Sequence, residues 1–281
     1  DVCSSDLFAL AESGNWEKLD AYFKELNKLK VSETQPEGFH EVFWPAILET
    51  YGAAEAAHNW PAQTLLDYGE AILGSLRPGM IYVGGNDAGR FIPTLLNETS
   101  DSGKHIVVTQ NALADTSYLR YVSFQYGDQF AALSGKDSQR AFETYLQDAK
   151  QRFQHDQQFP DEPKQIRPGE DVRMTDNRLQ VSGQVAVMAI NESLLKMLMD
   201  KNPDAGFAIV QSFPFTSMYA DTVPLGPVME LRAKDDQNAL TPERVAQSVD
   251  YWRSTVQPLL TDPDVPADSD PRQAYAKLVA D

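Results

Sequence analysis

The fold class is decided by the stretch Gly79-Met80-Ile81-Tyr82-Val83-Gly84-Gly85-Asn86-Asp87-Ala88-Gly89-Arg90-Phe91. Within it, residues 80–83 are apolar without helical periodicity, which predicts a short strand. The glycines that follow permit a tight turn, and residues 91–97 then show the apolar spacing of a helix. A second β-rich run occupies residues 105–110. A strand, a helix and a strand within about 30 residues form a βαβ unit, whose two strands are parallel.

On both sides of this unit the sequence predicts further elements. Helices are predicted upstream at residues 15–30, 40–57 and 59–76, the last with Asn59 as N-cap and Pro61 in its first turn. Downstream, the predicted helices span 115–125, 138–155, an almost wholly apolar and buried 184–200, and a last one that begins after the N-cap Thr241. Strands at 172–175 and 179–181 flank the turn pair Asp176-Asn177, and two more are expected at 207–210 and 228–231, joined by a long loop. The sequence therefore predicts an α/β fold: a mostly parallel sheet with flanking helices, a β-hairpin and an N-terminal helical layer.

The chain divides into four predicted parts. Residues 1–7 correspond to the translated end of a common sequencing-library adapter and are interpreted as an artefact. Residues 8–76 form the helical layer, and residues 77–257 form the α/β domain. Residues 258–281 are predicted to be a Pro/Asp-rich linker followed by the start of a truncated helix. We therefore expect the segment to belong to a longer protein.

Composition excludes several classes of function. The chain has 281 residues and a formal net charge of −17, which disfavours nucleic acid and anionic lipid as partners because both require a basic face. Its longest apolar run, residues 185–190, is far shorter than the roughly 20 residues that span a bilayer. Cys3 is the only cysteine, and the four histidines have no ligand spacing, so neither a metal nor a cofactor is predicted. Because the serine-hydrolase G-x-S-x-G pattern is also absent, no catalytic residue is predicted.

A candidate ligand site lies where the two parallel strands end. Ligands of open α/β sheets bind outside the carboxyl ends of the strands, where glycines and helix N-termini expose backbone N–H groups. Six polar residues are predicted to face such a ligand: Asn86, Asp87, Arg90, Gln110, Asn111 and Asp115. Arg90 is suited to phosphate or carboxylate, and Asp87 to a hydroxyl, an amine or a metal.

Purely structural interpretations of the same residues remain open. The glycine spacing matches neither the dinucleotide-binding nor the P-loop pattern. In the structural interpretation, Asp87 caps the following helix, Arg90 pairs with an acid of this acidic protein, Asn111 is a turn residue and Asp115 is an N-cap.

Two stretches, residues 79–91 and 109–119, resemble a family of large bacterial membrane proteins frequent in Verrucomicrobia and their relatives. Further similar phrases are His155-Asp156-Gln157, Pro168-Gly169-Glu170-Asp171, Gln180-Val181-Ser182-Gly183-Gln184 and Ser212-Phe213-Pro214. Members of that family have an N-terminal multi-span region similar to protein O-mannosyltransferases, a soluble α/β region and C-terminal tetratricopeptide repeats. The resemblance, which covers about residues 60–255, implies a domain on the extracytoplasmic side of a bacterial membrane. Its partners would be the membrane region and repeats of its own chain, and the catalytic acid would lie in the membrane region.

Three hypotheses for the function follow. The first is a non-catalytic extracytoplasmic domain of a glycosyltransferase-like membrane protein, which recognises or positions acceptor polypeptide or glycan. The second is an independent α/β enzyme or a nucleotide- or nucleotide-sugar-binding domain that uses the Gly84 to Arg90 turn. The third is a structural scaffold in which that turn binds nothing.

Overall fold

The structure, a computed structural model, describes residues 2–30, 41–85, 87–100, 105–175, 178–210, 218, 222–231 and 241–280. Asn86 and the turn pair Asp176-Asn177 lie outside the described residues. The α/β class predicted from the sequence is confirmed, with a five-stranded sheet, a separate β-hairpin and helices around both.

The five-stranded sheet has the spatial order β2-β1-β5-β7-β6. Its strands are β1 (Ile81–Gly84), β2 (Ile106–Thr109), β5 (Phe207–Ile209), β6 (Thr222–Leu225) and β7 (Val228–Leu231). β1 pairs in parallel with both β2 and β5, whereas β7 is antiparallel to its neighbours β5 and β6. Four of the five strands therefore run in one direction, as expected for a mostly parallel sheet. The hairpin consists of β3 (Asp171–Thr175) and β4 (Arg178–Ser182).

Helices cover both faces of the sheet because side chains of its central strands alternate between two apolar clusters. Ile81 and Val83 pack with Leu119 and Leu194 on one face, and Tyr82 packs with Tyr68 on the other. The first face is covered by α6 (Thr116–Tyr126), α7 (Gly135–Gln158) and α8 (Gln184–Lys201). The second is covered by α4 (Ala62–Ser75), α5 (Asp87–Thr99), α9 (Pro242–Tyr251), α10 (Gln257–Thr261) and α11 (Asp270–Ala280), with a π-helical turn at Trp252–Val256.

The N-terminal helices form a layer with an apolar cluster of their own. They are α1 (Val2–Glu12), α2 (Trp16–Lys30) and α3 (Trp44–Asn59). Leu7, Leu19, Leu26, Trp44 and Ile47 are buried together between them. The predicted N-terminal helical layer is thus present, and α3 also packs on α5. The predicted division of the chain into domains remains a prediction.

Glycines allow α5 to lie close to its neighbours. A Cβ atom at Gly84 would approach the Gly89 carbonyl oxygen to 2.7 Å, and one at Gly52 of α3 would approach the Phe91 ring to 2.4 Å. Both distances are shorter than normal van der Waals contacts, so a Cβ at Gly84 would displace the backbone of α5 and one at Gly52 would displace the Phe91 ring. The turn after β1 is therefore a point of tight strand–helix and helix–helix packing.

Two tyrosines of α6 accept hydrogen bonds from backbone N–H groups at the outer edge of β2. The backbone N–H of Val107 donates to the Tyr126 hydroxyl at 3.1 Å, and that of Thr109 donates to the Tyr118 hydroxyl at 2.8 Å. These bonds supply acceptors for edge N–H groups that no neighbouring strand accepts.

The structure corrects several details of the sequence-based assignment. The helix predicted from Asn59 begins at Ala62 after Pro61, and Asn59 is instead the last residue of α3. The helix at 184–200 is not buried all round, since Val187 is 52% exposed. The expected long loop between the last two strands contains β6, whose Pro224 is compatible with its position at the sheet edge. Pro258 stands within α10, part of the region predicted to be a linker.

Candidate functional site

The parallel pairing of β1 and β2 brings their carboxyl ends together. Gly84 is in register with Thr109, so the residues that follow the two strands meet at one edge of the sheet. The Asn111 side-chain amide donates to the Gly85 carbonyl at 2.6 Å, and the Thr109 hydroxyl donates to the Gly84 carbonyl at 3.4 Å. The predicted proximity of the two turns is confirmed, and Asn111 uses an amide hydrogen to fix the first turn.

Arg90 is held beneath this edge by a buried acid. Its Nε and Nη2 atoms donate to the same Glu49 oxygen, Oε1, at 2.9 and 2.6 Å. The side chains of Arg90 and Glu49 are only 11% and 10% exposed, and the guanidinium lies over the Phe91 and Tyr118 rings. Burial raises the pKa of the Glu49 carboxyl, although the positive charge of Arg90 opposes that rise. The guanidinium therefore joins α3 to α5 and is oriented by protein groups.

Asp115 and Gln110 also occupy structural positions, one at the start of a helix and the other in the buried interior. Asp115 is the N-cap of α6, since its Oδ1 accepts from the Ser117 N–H at 2.8 Å and from the Tyr118 N–H at 3.4 Å. It lines a cavity of about 340 Å³ together with Lys30, Trp44 and Arg120 on the α2 side of the molecule. Gln110 follows β2 in a 3₁₀ turn and is completely buried.

Asp87, in contrast, faces an open cleft between α3, α5 and α11. The cleft has a volume of about 360 Å³. Carboxylates reach it from three helices: Glu55 of α3, Asp87 of α5 and Asp270 of α11. The remaining described lining comprises the amides of Asn59 and Gln273 and the apolar residues Gly52, Ala56, Trp60, Ala88, Phe91 and Ala274. No described residue along this cleft carries a positive charge.

In this acidic cleft (Glu55, Asp87 and Asp270), the Glu55 carboxyl is affected by the charges of the other two. Burial raises the pKa of Glu55, and the negative charges of Asp87 and Asp270 raise it further. The Tyr51 hydroxyl lies 3.0 Å from its closer acceptor, Asp20 Oδ1, and 3.4 Å from Glu55 Oε1, and the contact with Glu55 opposes the rise. Such a group of like charges favours ligands that bring positive charge or hydrogen-bond donors, because both reduce the repulsion.

The six predicted ligand residues thus separate into different surroundings. Of the five that are described, only Asp87 lines the acidic cleft; Arg90, Asn111 and Asp115 make the contacts given above, and Gln110 is buried. Four polar residues of the cleft are not among the predicted ligand residues, because they come from segments distant in the chain: Glu55, Asn59, Asp270 and Gln273. No local motif marks them, and the helix start at Asp270 was the one recognisable signal. Within the described residues, no cluster of His, Cys, Asp and Glu has an arrangement that suits a metal ion.

Comparisons with known proteins add no assignment: the chain matches no protein-family model, no curated protein and no solved structure. None of the described helices is long and apolar enough to cross a membrane.

Proposed function

We propose that this chain is a non-catalytic binding domain whose acidic cleft positions an acceptor polypeptide or glycan. The observation that supports this function is the meeting of Glu55, Asp87 and Asp270 in one cleft without a described cation. The cleft lies beside the N-terminus of α5, at the carboxyl end of β1, where ligands of α/β sheets bind. A volume of about 360 Å³ falls within the range of small-molecule and side-chain pockets.

A cationic polypeptide segment is the ligand that this chemistry favours most. Carboxylates form charge-assisted hydrogen bonds with lysine and arginine side chains, and these bonds are stronger than those between neutral groups. The net charge of −17 attracts basic segments at long range. Sugar hydroxyls also donate to carboxylates, which keeps a glycan within the proposal.

Nucleotide binding is less well supported by the same geometry. A helix N-terminus attracts phosphate, but three carboxylates beside the first turn of α5 repel it. Arg90, the cation of the same turn, is engaged by Glu49 and does not line the cleft. The observations therefore favour the first of the three sequence-based hypotheses over the second.

The larger setting of the domain follows from the family resemblance. We propose that the domain acts on the extracytoplasmic side of a bacterial membrane, as part of a glycosyltransferase-like protein. The membrane region and the tetratricopeptide repeats of the same chain would be its permanent partners. In that setting the cleft would hold an acceptor segment while the membrane region performs the transfer.

Titration calorimetry with three ligand classes tests the proposal. The wild-type protein is titrated at low ionic strength with a lysine-containing peptide, a neutral oligosaccharide and ATP. We expect the peptide to bind and its affinity to fall when salt is added, because salt screens exposed charges. Binding of the oligosaccharide with little salt dependence would support the glycan form of the proposal. Binding of ATP alone would favour the nucleotide hypothesis. If none of the three ligands bound, the scaffold hypothesis would be favoured.

A further inference from the structure

Helix α11 forms one wall of the acidic cleft and is held in place by apolar packing. Tyr275 is 2% exposed, and its ring meets that of Tyr68 in α4 edge to face, with centroids 5.3 Å apart. Ala274, the preceding residue, is also buried and lines the cleft. An aromatic pair of this geometry contributes more than the area that it buries. Packing on α4 therefore fixes the position of α11.

Arg272 fixes the turn that leads into α11. Its guanidinium donates to the backbone carbonyls of Leu260, Asp262 and Val265, with Nη1 lying 3.2 Å from the Asp262 oxygen. Because these carbonyls belong to α10 and to the segment after it, the first turn of α11 is attached to that segment. The carboxylate of Asp270 is consequently presented at the mouth of the cleft.

Electrostatic repulsion acts against this packing. Glu55 experiences the negative charges of Asp87, Asp270 and Asp20, and its only described hydrogen-bond donor is the Tyr51 hydroxyl. Lys24, the cation beside Asp20, pairs with that carboxylate at 2.6 Å. Each of the three cleft carboxylates comes from a different helix, so their repulsion tends to separate α11 from α3 and α5.

We propose that α11 is a charge-sensitive wall of the acidic cleft, whose packing on α4 is opposed by repulsion between Asp270 and the carboxylates of Glu55 and Asp87. Neutralising Glu55, by substitution, by protonation or by a bound cation, relieves this repulsion and leaves the acids of the first turns of α5 and α11 in place, so it strengthens the docking of α11. Screening by salt acts in the same direction. The inference concerns docking of the helix itself and requires no ligand, so it is independent of the proposed function.

Hydrogen exchange of the α11 amides measures this docking directly. Protection factors of α11 are compared for wild type, Glu55→Gln and the control Asp268→Asn in the full chain. Glu55→Gln removes a cleft charge without removing the acid of the first turn of α11, and the control removes an equal charge from an exposed position that does not line the cleft. We expect Glu55→Gln to raise the protection of α11 about two- to fivefold, in line with a partly exposed charge interaction, and Asp268→Asn to leave it unchanged. Equal protection in all three proteins would overturn the inference.

Salt and pH provide a second measurement on the same proteins. For wild type, protection of α11 should rise at high salt and as the pH is lowered through the raised pKa of Glu55, while for Glu55→Gln both responses should be smaller. Protection that is insensitive to both conditions would contradict the proposal. If α11 responds as expected but no peptide or sugar binds, the proposed function fails and the charge-sensitive wall remains.

Discussion

Arg90 donates two hydrogen bonds to a single oxygen of Glu49, at 2.9 Å from Nε and 2.6 Å from Nη2. This ion pair changes the interpretation of the glycine turn. Arg90 is the arginine of that turn that was predicted to suit an anion, and it instead joins two helices. The second Glu49 oxygen, Oε2, is buried without a hydrogen-bond partner among the described residues. A buried pair of this kind restrains the two helices that carry it, here α3 and α5.

Removal of one member of the pair should destabilise the protein strongly. We expect Glu49→Gln to lower the free energy of unfolding by about 2–4 kcal/mol, because Arg90 would remain buried without its counter-charge. Urea denaturation measures this change. The double variant Glu49→Leu/Arg90→Met should lose less free energy of unfolding than the sum of the losses for Glu49→Leu and Arg90→Met alone, since it leaves no unpaired buried charge. As a surface control, Lys196→Gln should change stability by less than about 1 kcal/mol. If Glu49→Gln and Lys196→Gln changed stability equally, the packing role of Glu49 would be contradicted.

Gly84 should tolerate no larger side chain. A methyl group there would meet the Gly89 carbonyl oxygen at 2.7 Å and the Arg90 Cα atom at 3.1 Å. We expect Gly84→Ala to destabilise the fold by about 1–3 kcal/mol, because α5 must move away from β1. Gly74→Ala is the matched control, since nothing lies within 4 Å of its added Cβ, and alanine is the better helix former. Thermal unfolding that showed equal stability for both variants would refute close packing at Gly84.

Acid should weaken the fold through Glu170. Burial raises the pKa of this carboxyl, but hydrogen bonds from Arg152, Tyr145 and the Arg167 N–H outweigh burial and lower it from 4.5 to about 2. Because the folded pKa is the lower one, the stabilisation is complete above pH 4.5 and is lost as the pH falls towards 2. We expect Glu170→Gln to reduce the dependence of the unfolding free energy on pH in this interval.

The same substitution should also reduce stability at pH 7, since Arg152 would lose its buried counter-charge and keep only the half-exposed Asp148, whose Oδ2 accepts from Arg152 Nε at 2.8 Å. Glu12→Gln, at an exposed position of α1, is the control and should retain the acid dependence of the wild type. If Glu170→Gln showed the full wild-type acid dependence, the buried Arg152–Glu170 pair would not be its source.

The fold was predictable where local signals and packing agree. The βαβ unit followed from the apolar runs around Gly84, and the N-cap Thr241 followed from residue type and position. For Asp115, the structural alternative to a ligand-facing role, an N-cap, is the one that the structure shows. β6 was missed because Thr222–Leu225 is short and contains a proline, which weakens every strand signal. Its pairing with β7 stabilises it, and pairing is a tertiary property.

The candidate site was predictable only in part. Asp87 follows β1 directly, so the rule for α/β sheets located it, and the proximity of Asn111 followed from parallel pairing. Glu55 and Asp270 are 32 residues before and 183 residues after Asp87 in the chain, counted from their positions. They meet it only because α3 and α11 pack beside α5, and no sequence spacing encodes that packing.

Titration of a lysine-containing peptide into wild type, Asp87→Asn and Asp268→Asn at low ionic strength tests the acidic cleft most directly. We expect Asp87→Asn to weaken binding about fivefold, which corresponds to roughly 1 kcal/mol for one exposed charge interaction. Asp268→Asn, with the same change in net charge outside the cleft, should bind within about twofold of wild type. Equal affinities of Asp87→Asn and wild type would contradict the assignment of the acidic cleft as the binding site.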